Sequence, residues 1–366
     1  MRTSTKACVA CRASLPRSDP QPPTENRAGA LQKNAAVDLL VIGAGPTGLA
    51  CAIATQRAGF RVALVDKGCL CNSLFHYPSN MTFFTTPELL EIGNIPFSSP
   101  NQKPTRNEAL EYYRKVAEHY ELEVRAYHRV LKVEGSDGNF SVLTEDQFGR
   151  HATHQARKLV IATGYYDLPN WMGVPGEDLP KVRHYYHDPH PYYGQDVLVI
   201  GGKNSAAIAA LDLWRHGARV TLAYRGPKMH RHVKYWILPD IENRIKHGEV
   251  TAYFESSLTG ILPDTATLET PRGPVTLAND FVFAMTGYHP DYSFLQDLGV
   301  TCDGPDRQPS YDKDTLESNV AGIYLAGVIV AGERTNEIFI ENGRFHGDLI
   351  ASDISARLRL TSQPGK

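Results

Sequence analysis

One stretch, Val37 to Lys67, constrains this chain more than any other. An apolar run, Leu39-Leu40-Val41-Ile42, leads into Gly43-Ala44-Gly45-Pro46-Thr47-Gly48. A helical pattern from Leu49 to Ala58 follows, then a second apolar run, Val62 to Val65, which ends on Asp66 and Lys67. Strand, G-x-G-x-x-G turn, helix, strand and closing acid are the parts of a dinucleotide-binding βαβ unit. Each glycine has its own reason. Gly43 permits the tight turn, Gly45 leaves room for a pyrophosphate, and Gly48 lets the helix pack closely on the strand. The free N–H groups of the helix start face the phosphates, and Ala44, Pro46 and Thr47 complete the turn. Asp66 is placed to accept hydrogen bonds from an adenosine ribose, with Lys67 beside it.

The same theme recurs further on. Asp196–Ile200 reads as a strand, Gly201-Gly202-Lys203-Asn204-Ser205-Ala206 as a turn, and a helix to His216 precedes the strand Arg219–Ala223. Lys203 stands where the second fingerprint glycine would be, so it either points away from the pyrophosphate or meets it with its own charge. This unit's second strand ends in Tyr224-Arg225, with no acid. An acid there would repel a 2′-phosphate, whereas an arginine pairs with one bidentately. NADPH is therefore expected rather than NADH, held by Arg225 with Lys228 or Arg231. The strand Lys158 to Thr163 ends in Thr163-Gly164, and Asp280 to Met285 ends in Thr286-Gly287. The chain returns through Gly322–Val328 and closes on a helix, Arg344 to Arg357.

The expected fold is α/β, with two Rossmann-like dinucleotide-binding domains, the second inserted into the first. The FAD-binding domain takes 37–175 and 291–366, the NADPH-binding domain takes 176–290, and residues 1–36 form a disordered tail. Val130, Thr163, Gly164, Gly327 and Val328 join the fingerprint residues on the FAD side. Gly201, Gly202, Lys203, Asn204, Ser205, Arg225 and Arg231 make up the NADPH side. A Pro- and Gly-rich connection, Pro169 to Pro191, reads as the hinge.

Composition removes several function classes. The net charge of −2 and the lack of a long basic run argue against nucleic-acid binding. No apolar run approaches the ~18 residues of a membrane span. Six cysteines without a disulfide-framework spacing suit a reducing cytoplasm. The first 36 residues are rich in Pro, Ser, Thr, Arg and Gln, and their Cys8-x-x-Cys11 offers only two of the four ligands of a zinc site. No metal is expected, and assembly into a homo-oligomer is.

The order G-x-G-x-x-G, Ala-Thr-Gly, G-G-x-x-S-A and G-x-Y-x-A-G resembles the flavoprotein disulfide reductase superfamily. Within it, residues 37 to 357 are most similar to the YpdA-type bacillithiol-disulfide reductases. The specific words are Ala162 to Asp167, Val174 to Lys181, Ile200 to Ser205, Phe283 to Pro290 and Asn336 to Gly347. The resemblance implies bound FAD, NADPH as reductant and a small oxidised thiol as acceptor. It also implies that Lys203 is a regular feature of the second fingerprint.

Three departures bear on mechanism. Thioredoxin reductases carry a redox C-x-x-C before the second fingerprint, where this chain has His184-Tyr185-Tyr186-His187-Asp188-Pro189-His190. Many superfamily members have an Asp where Val328 stands. The nucleophile proposed for the YpdA type is a cysteine just before the third fingerprint glycine, and here that residue is Thr47. A threonine hydroxyl forms no redox couple. Cys51 lies one helical turn on, among alanines that suggest packing, and Cys302 lies in a loop with no partner nearby in sequence. Cys69 and Cys71 remain as redox candidates, and His346 as the acid–base candidate with His76 behind it. For each, a purely structural place in the fold is the plainer alternative. The aromatic run from Phe75 to Thr85 reads equally as a flavin wall or a core loop. Three other functions stay open: a reductase for ferredoxin or flavodoxin, a flavin monooxygenase, and a non-catalytic redox-sensing flavoprotein.

Overall fold

The computed structural model describes residues 36–360, with side chains to Arg357. The expected tail, save its last residue, and the Cys8-x-x-Cys11 pair lie outside the described residues.

The first half opens with β1 (Val37–Ile42), α1 (Pro46–Arg57) and β2 (Val62–Val65). A short helix α2 (Asn72–Phe75), helix α3 (Arg106–His119) and strands β3 (Glu123–Arg125), β4 (His128–Ser136), β5 (Asn139–Asp146) and β6 (His151–Ile161) follow. After the connecting strand β7 (Leu168–Pro169) come β8 (Val182–Arg183), β9 (Asp196–Ile200), α4 (Asn204–Arg215), β10 (Arg219–Tyr224), α5 (Leu238–Lys246) and β11 (Thr251–Phe254). Strands β12 (Ser257–Ile261), β13 (Thr265–Thr270) and β14 (Gly273–Ala278) form a meander before β15 (Phe281–Ala284) and β16 (Tyr288–His289). Helix α6 (Tyr292–Asp297), a hairpin of β17 (Cys302–Asp303) and β18 (Gln308–Pro309), strand β19 (Ile323–Leu325) and helices α7 (Ile340–Gly343) and α8 (His346–Leu360) complete the chain.

Two parallel sheets result. The first runs β3-β2-β1-β6, and β19 pairs with the last residues of β6. The first residues of β6 pair instead with β5, so this one strand belongs to both the parallel sheet and an antiparallel β4-β5-β6 flap. The second sheet runs β11-β10-β9-β15-β8, all parallel. Its central strands β9 and β15 carry apolar runs, Val197–Ile200 and Phe281–Ala284, because both faces are covered there. Alternation sends neighbouring residues to opposite cores. Leu39 and Val41 join the cluster with α1 and α8, whereas Leu40 and Ile42 join the one beneath β5 and α6. In the second sheet Val197 and Val199 face α4, and Leu198 faces the meander.

Small residues bring the helices close. Gly347 on α8 packs on α1, where a Cβ would lie 2.6 Å from the Ala50 carbonyl oxygen. This contact gives Ala50 and Cys51, both buried, a packing role.

The halves are joined by two chain crossings lying side by side. Strands β7 and β16 pair antiparallel, Leu168 opposite His289 and Pro169 opposite Tyr288. Asn170 and Thr286 lock this ribbon, the Thr286 hydroxyl donating to the Asn170 carbonyl at 2.6 Å.

Several expectations need correction. Helix α1 begins at Pro46 rather than Leu49, since Pro suits a first helical position that has no use for its N–H. The strand expected from Lys158 to Thr163 starts seven residues earlier, at His151, and stops at Ile161. The closing helix is broken: α7 ends at Gly343 and α8 starts at His346, not at Arg344. The β12–β14 meander does not stand out in the sequence, because its burial alternates weakly along exposed strands.

At Gly48 a Cβ would stand 2.0 Å from the Gly43 carbonyl oxygen. Replacing Gly48 with Ala is expected to cost about 1–3 kcal/mol by overpacking. The urea midpoint measures it, and an unchanged midpoint would mean the turn can open without penalty.

Candidate functional site

The first candidate site lies at the carboxyl ends of β1 and β6. Its three glycines divide into two kinds. Gly43 (φ +112°) faces the Ala162 carbonyl oxygen, 2.3 Å from where a Cβ would be, and Gly48 faces Gly43 itself. Protein packing accounts for both. At Gly45 no atom lies within 4 Å of where a Cβ would be, so the space above it is open. No side chain caps α1, and its first turn holds no acid. The leading N–H groups of the helix are therefore free to meet an anion. An open cradle over Gly45 and an uncapped helix start fit a pyrophosphate.

The neighbouring groups complete the cleft. Asp66 accepts from the Ala44 N–H at 2.7 Å through one carboxylate oxygen and from the Gly68 N–H at 2.8 Å through the other. Burial pushes its pKa up, against these two donors and Lys67, which lower it. Each oxygen keeps a further lone pair for a ribose hydroxyl. Lys67 does not extend freely: its ammonium pairs with Asp167 at 2.9 Å. The Thr163 hydroxyl is buried with no partner, and Gly164 beside it (φ +74°) faces open space. A buried orphan hydroxyl at the end of β6 is what a missing hydrogen-bonding ligand leaves behind. Val130 is paired with Thr144 across the flap and packs on the core below.

Thr47, Gly327 and His346 meet at the far side of the turn. A Cβ on either Gly327 or Gly343 would lie 3.2 Å from Thr47 Oγ1, so the threonine side chain fits between two glycines. The Gly327 N–H donates to His346 Nδ1 at 3.1 Å, which fixes the neutral ring with its proton on Nε2. Burial pushes the His346 pKa down. Val328 follows Gly327, half-buried, in the same turn. Sequence spacing does not reveal Gly343 as a member of this group. His76 lies elsewhere, its Nδ1 donating to the Asn72 carbonyl at 2.9 Å at the end of α2.

The cysteines are poor nucleophiles. Cys71 is fully buried in a left-handed conformation, its N–H donating to the Ala44 carbonyl at 3.0 Å. Burial pushes its thiol well above the usual range, and the Asp66 charge adds to this. Cys69 is half-buried and is shifted up by burial and Asp66 as well. Cys51 is pushed up to about 12 by burial. Each shift disfavours the thiolate that disulfide exchange needs.

The second candidate site repeats the first with changes. The Gly43 N–H donates to the Val65 carbonyl at 2.8 Å, and the Gly201 N–H donates to the Ala223 carbonyl at 3.0 Å. This equivalence places Tyr224 where the first half has Asp66. The Tyr224 ring covers the turn: a Cβ on Gly202 would lie 2.4 Å from it, and one on Gly226 likewise. Lys203 and Ser205 are exposed at the start of α4, and Arg225, Lys228 and Arg231 are exposed beyond β10. Asn204 is engaged with the loop after β10, its Nδ2 donating to the His232 carbonyl at 3.2 Å. Lys203 and Arg231 both push the His230 pKa down by charge, after burial, so they gather around one spot. Clustered cations without an acid fit a 2′-phosphate.

Among the described residues no group of side chains could hold a metal ion, and no helix is long and apolar enough to cross a membrane. Residues 40–327 match the family model described as pyridine nucleotide-disulphide oxidoreductase. Bacilliredoxin reductase Bdr of Bacillus subtilis is 45% identical over 319 residues, which is 87% of this chain and 97% of that protein. The solved structure of bacillithiol disulfide reductase Bdr (YpdA) from Bacillus cereus is 46% identical, with a TM-score of 0.86 over 88% of this chain and 100% of that one. A thioredoxin reductase from T. acidophilum shares the fold at 22% identity, with a TM-score of 0.69 over 88% of this chain and 99% of that one.

The contrast among the glycines is testable. Gly45→Ala should move the stability by no more than about 0.5 kcal/mol, since nothing crowds the position. It should nonetheless purify with much less bound flavin, read from flavin absorbance per chain. Full flavin occupancy in this variant would show that the cradle is not where the pyrophosphate sits.

Proposed function

Because the chain belongs to the pyridine nucleotide-disulphide oxidoreductase family, we propose that it is an NADPH-dependent flavoprotein that reduces a low-molecular-weight thiol disulfide of the bacillithiol type. The chain is an oxidoreductase of that family. What carries the finer reading is the pairing of two unequal nucleotide cradles. One has a ribose-binding acid, Asp66, and the other has an aromatic cover and a cationic cluster in its place.

The residues divide the work. Gly43, Ala44, Gly45, Pro46, Thr47 and Gly48 would hold the FAD pyrophosphate, with Asp66 on the ribose and Thr163 and Gly164 lining the cleft. Gly201, Gly202, Lys203, Asn204 and Ser205 would hold the NADPH pyrophosphate, and Arg225 with Arg231 its 2′-phosphate. FAD, when bound, takes a hydride from NADPH and passes two electrons to an acceptor. Reducing a disulfide also takes up one proton, which solvent would supply, and the neutral His346 would serve only as a hydrogen-bond donor through Nε2. Burial and Asp66 disfavour the thiolates of Cys69 and Cys71, so in this proposal the acceptor disulfide would meet the flavin without a protein disulfide between them. This favours a small acceptor able to enter the cleft. The B. subtilis relative is named for bacilliredoxin and the B. cereus one for bacillithiol disulfide, so both acceptors belong in the assay. A homo-oligomer in the cytoplasm completes the proposal.

NADPH consumption should be stimulated by bacillithiol disulfide above glutathione disulfide, ferredoxin or oxygen. Stimulation by ferredoxin alone would overturn the disulfide assignment. Arg225→Ala and Arg231→Ala should each raise KM for NADPH about tenfold, the worth of one charged hydrogen bond, and leave that for NADH unchanged. Cys69→Ser and Cys71→Ala should keep disulfide reduction within about twofold once folding is matched. Loss of turnover with intact flavin reduction by NADPH would return those thiols to the mechanism.

A further inference from the structure

The β7–β16 ribbon is not the only junction between the halves. Phe83 and Phe84 are neighbours in sequence yet pack into different halves: Phe83 is buried in the core of the first, and Phe84 packs against the core of the second. Their segment has a firm base. The Phe83 N–H donates to the Pro104 carbonyl at 2.9 Å, and the Arg106 N–H donates to the Met81 carbonyl at 2.9 Å. Thr105 then caps α3 in a capping box with Glu108, which fixes the residues on either side of it.

Trp236 reaches this base from the second half. Its ring meets Phe84 edge to face at 6.0 Å, and the Lys103 ammonium sits 3.2 Å from the indole centroid. Lys234 lies 5.3 Å from the Phe84 ring. Aromatic and cation–π contacts of this kind are favourable beyond the area they bury. Ser79 makes a second bridge, its N–H donating to the His187 carbonyl at 2.8 Å and its hydroxyl to Asp188 at 2.9 Å.

The loop that bears Trp236 also touches the nucleotide turn. The His230 N–H donates to the Gly202 carbonyl at 2.9 Å, and the Lys234 N–H donates to Asn204 Oδ1 at 2.9 Å. One short loop is thus tied at its start to the phosphate-binding turn and at its end to the other half. The segment from His184 to His190 holds no cysteine, so the second half has no redox group of its own to present to a flavin. Its task in the proposed reaction is hydride delivery alone, and that depends on orientation.

We propose that Trp236, clasped by Phe84 and Lys103, is a positioning residue that holds the NADPH-binding half against the FAD-binding half for hydride transfer. The proposal rests on the NADPH–flavin reading above. The full chain loaded with FAD is mixed with NADPH in a stopped-flow instrument, as wild type, Trp236→Ala and Trp236→Phe. In Trp236→Ala the limiting rate of flavin reduction falls about tenfold or more, as small misplacements do. Its apparent Kd for NADPH, flavin content and thermal midpoint stay at wild-type values. Trp236→Phe recovers most of the rate. Lys103→Ala slows the wild type but has no added effect in Trp236→Ala. A Trp236→Ala protein that is reduced at the wild-type rate or faster overturns the clasp and leaves the functional reading intact. So does a rate loss that tracks flavin loss, or one that Phe does not rescue. Wild-type protein whose flavin NADPH fails to reduce overturns both.

Discussion

The structure depends on two close approaches of backbone to backbone. Ala162 leaves no room for a side chain at Gly43, and Met285 leaves none at Gly201. In each case the strand beyond the helix crossover ends against the first turn of the unit. The Ala162 N–H donates to the Ile42 carbonyl and the Met285 N–H to the Ile200 carbonyl, both at 2.8 Å. Strand order reverses at these points, between β1 and β6 and between β9 and β15, so a crevice opens outside their carboxyl ends. Helix α1 or α4 then aims its uncapped start into that crevice. Site and fold follow from one constraint, because the glycine that closes the turn also opens the cleft.

The two halves share one frame and differ at one side chain beside the turn. Asp66 turns its carboxylate back onto the Ala44 N–H. At the equivalent place the Tyr224 ring lies over Gly202. A carboxylate there would oppose a phosphate on the adjacent ribose; a ring removes the repulsion, and the exposed cations beyond it supply attraction. Gly202 is then a glycine for the sake of Tyr224. This explains why the second fingerprint tolerates Lys203 at its next position: the residue precedes α4 in an extended conformation, makes no capping hydrogen bond and leaves its side chain exposed.

Much of this is legible in the sequence, for local reasons. The apolar runs of β1, β2, β9 and β10 are buried on both faces, and a strand of that kind announces itself. Gly43 and Gly201, at φ +112° and +139° and crowded by backbone, mark turns that a residue with a side chain would strain. The meander β12–β14 is hidden because half its residues face outward and its register is broken between Leu258 and Gly260. The grouping of Thr47 with Gly327, Gly343 and His346 is hidden for another reason. It joins three distant parts of the chain, and two glycines that merely give way to a threonine leave no spacing to read. The run from Phe75 to Thr85 shows no clean period because it serves two cores, one receiving Phe83 and the other Phe84.

The absence of a usable thiolate among the described residues gives the remaining architecture its logic. A reductase whose redox disulfide sits on its nicotinamide-binding half must bring that disulfide and the nicotinamide to the flavin in turn, which requires that half to move. Here burial raises the thiols of Cys51 and Cys71, Cys69 is raised as well, and Thr47 stands in the first turn of α1, where a thiol would gain from the helix start. With no second redox group to present, a fixed arrangement takes nothing from the chemistry. Contacts between the halves can then be strong, as the Trp236, Phe84 and Lys103 cluster is, without stalling turnover. Thr47 in place of a thiol and a clasp at Trp236 are thus consistent with one another in the proposed reaction.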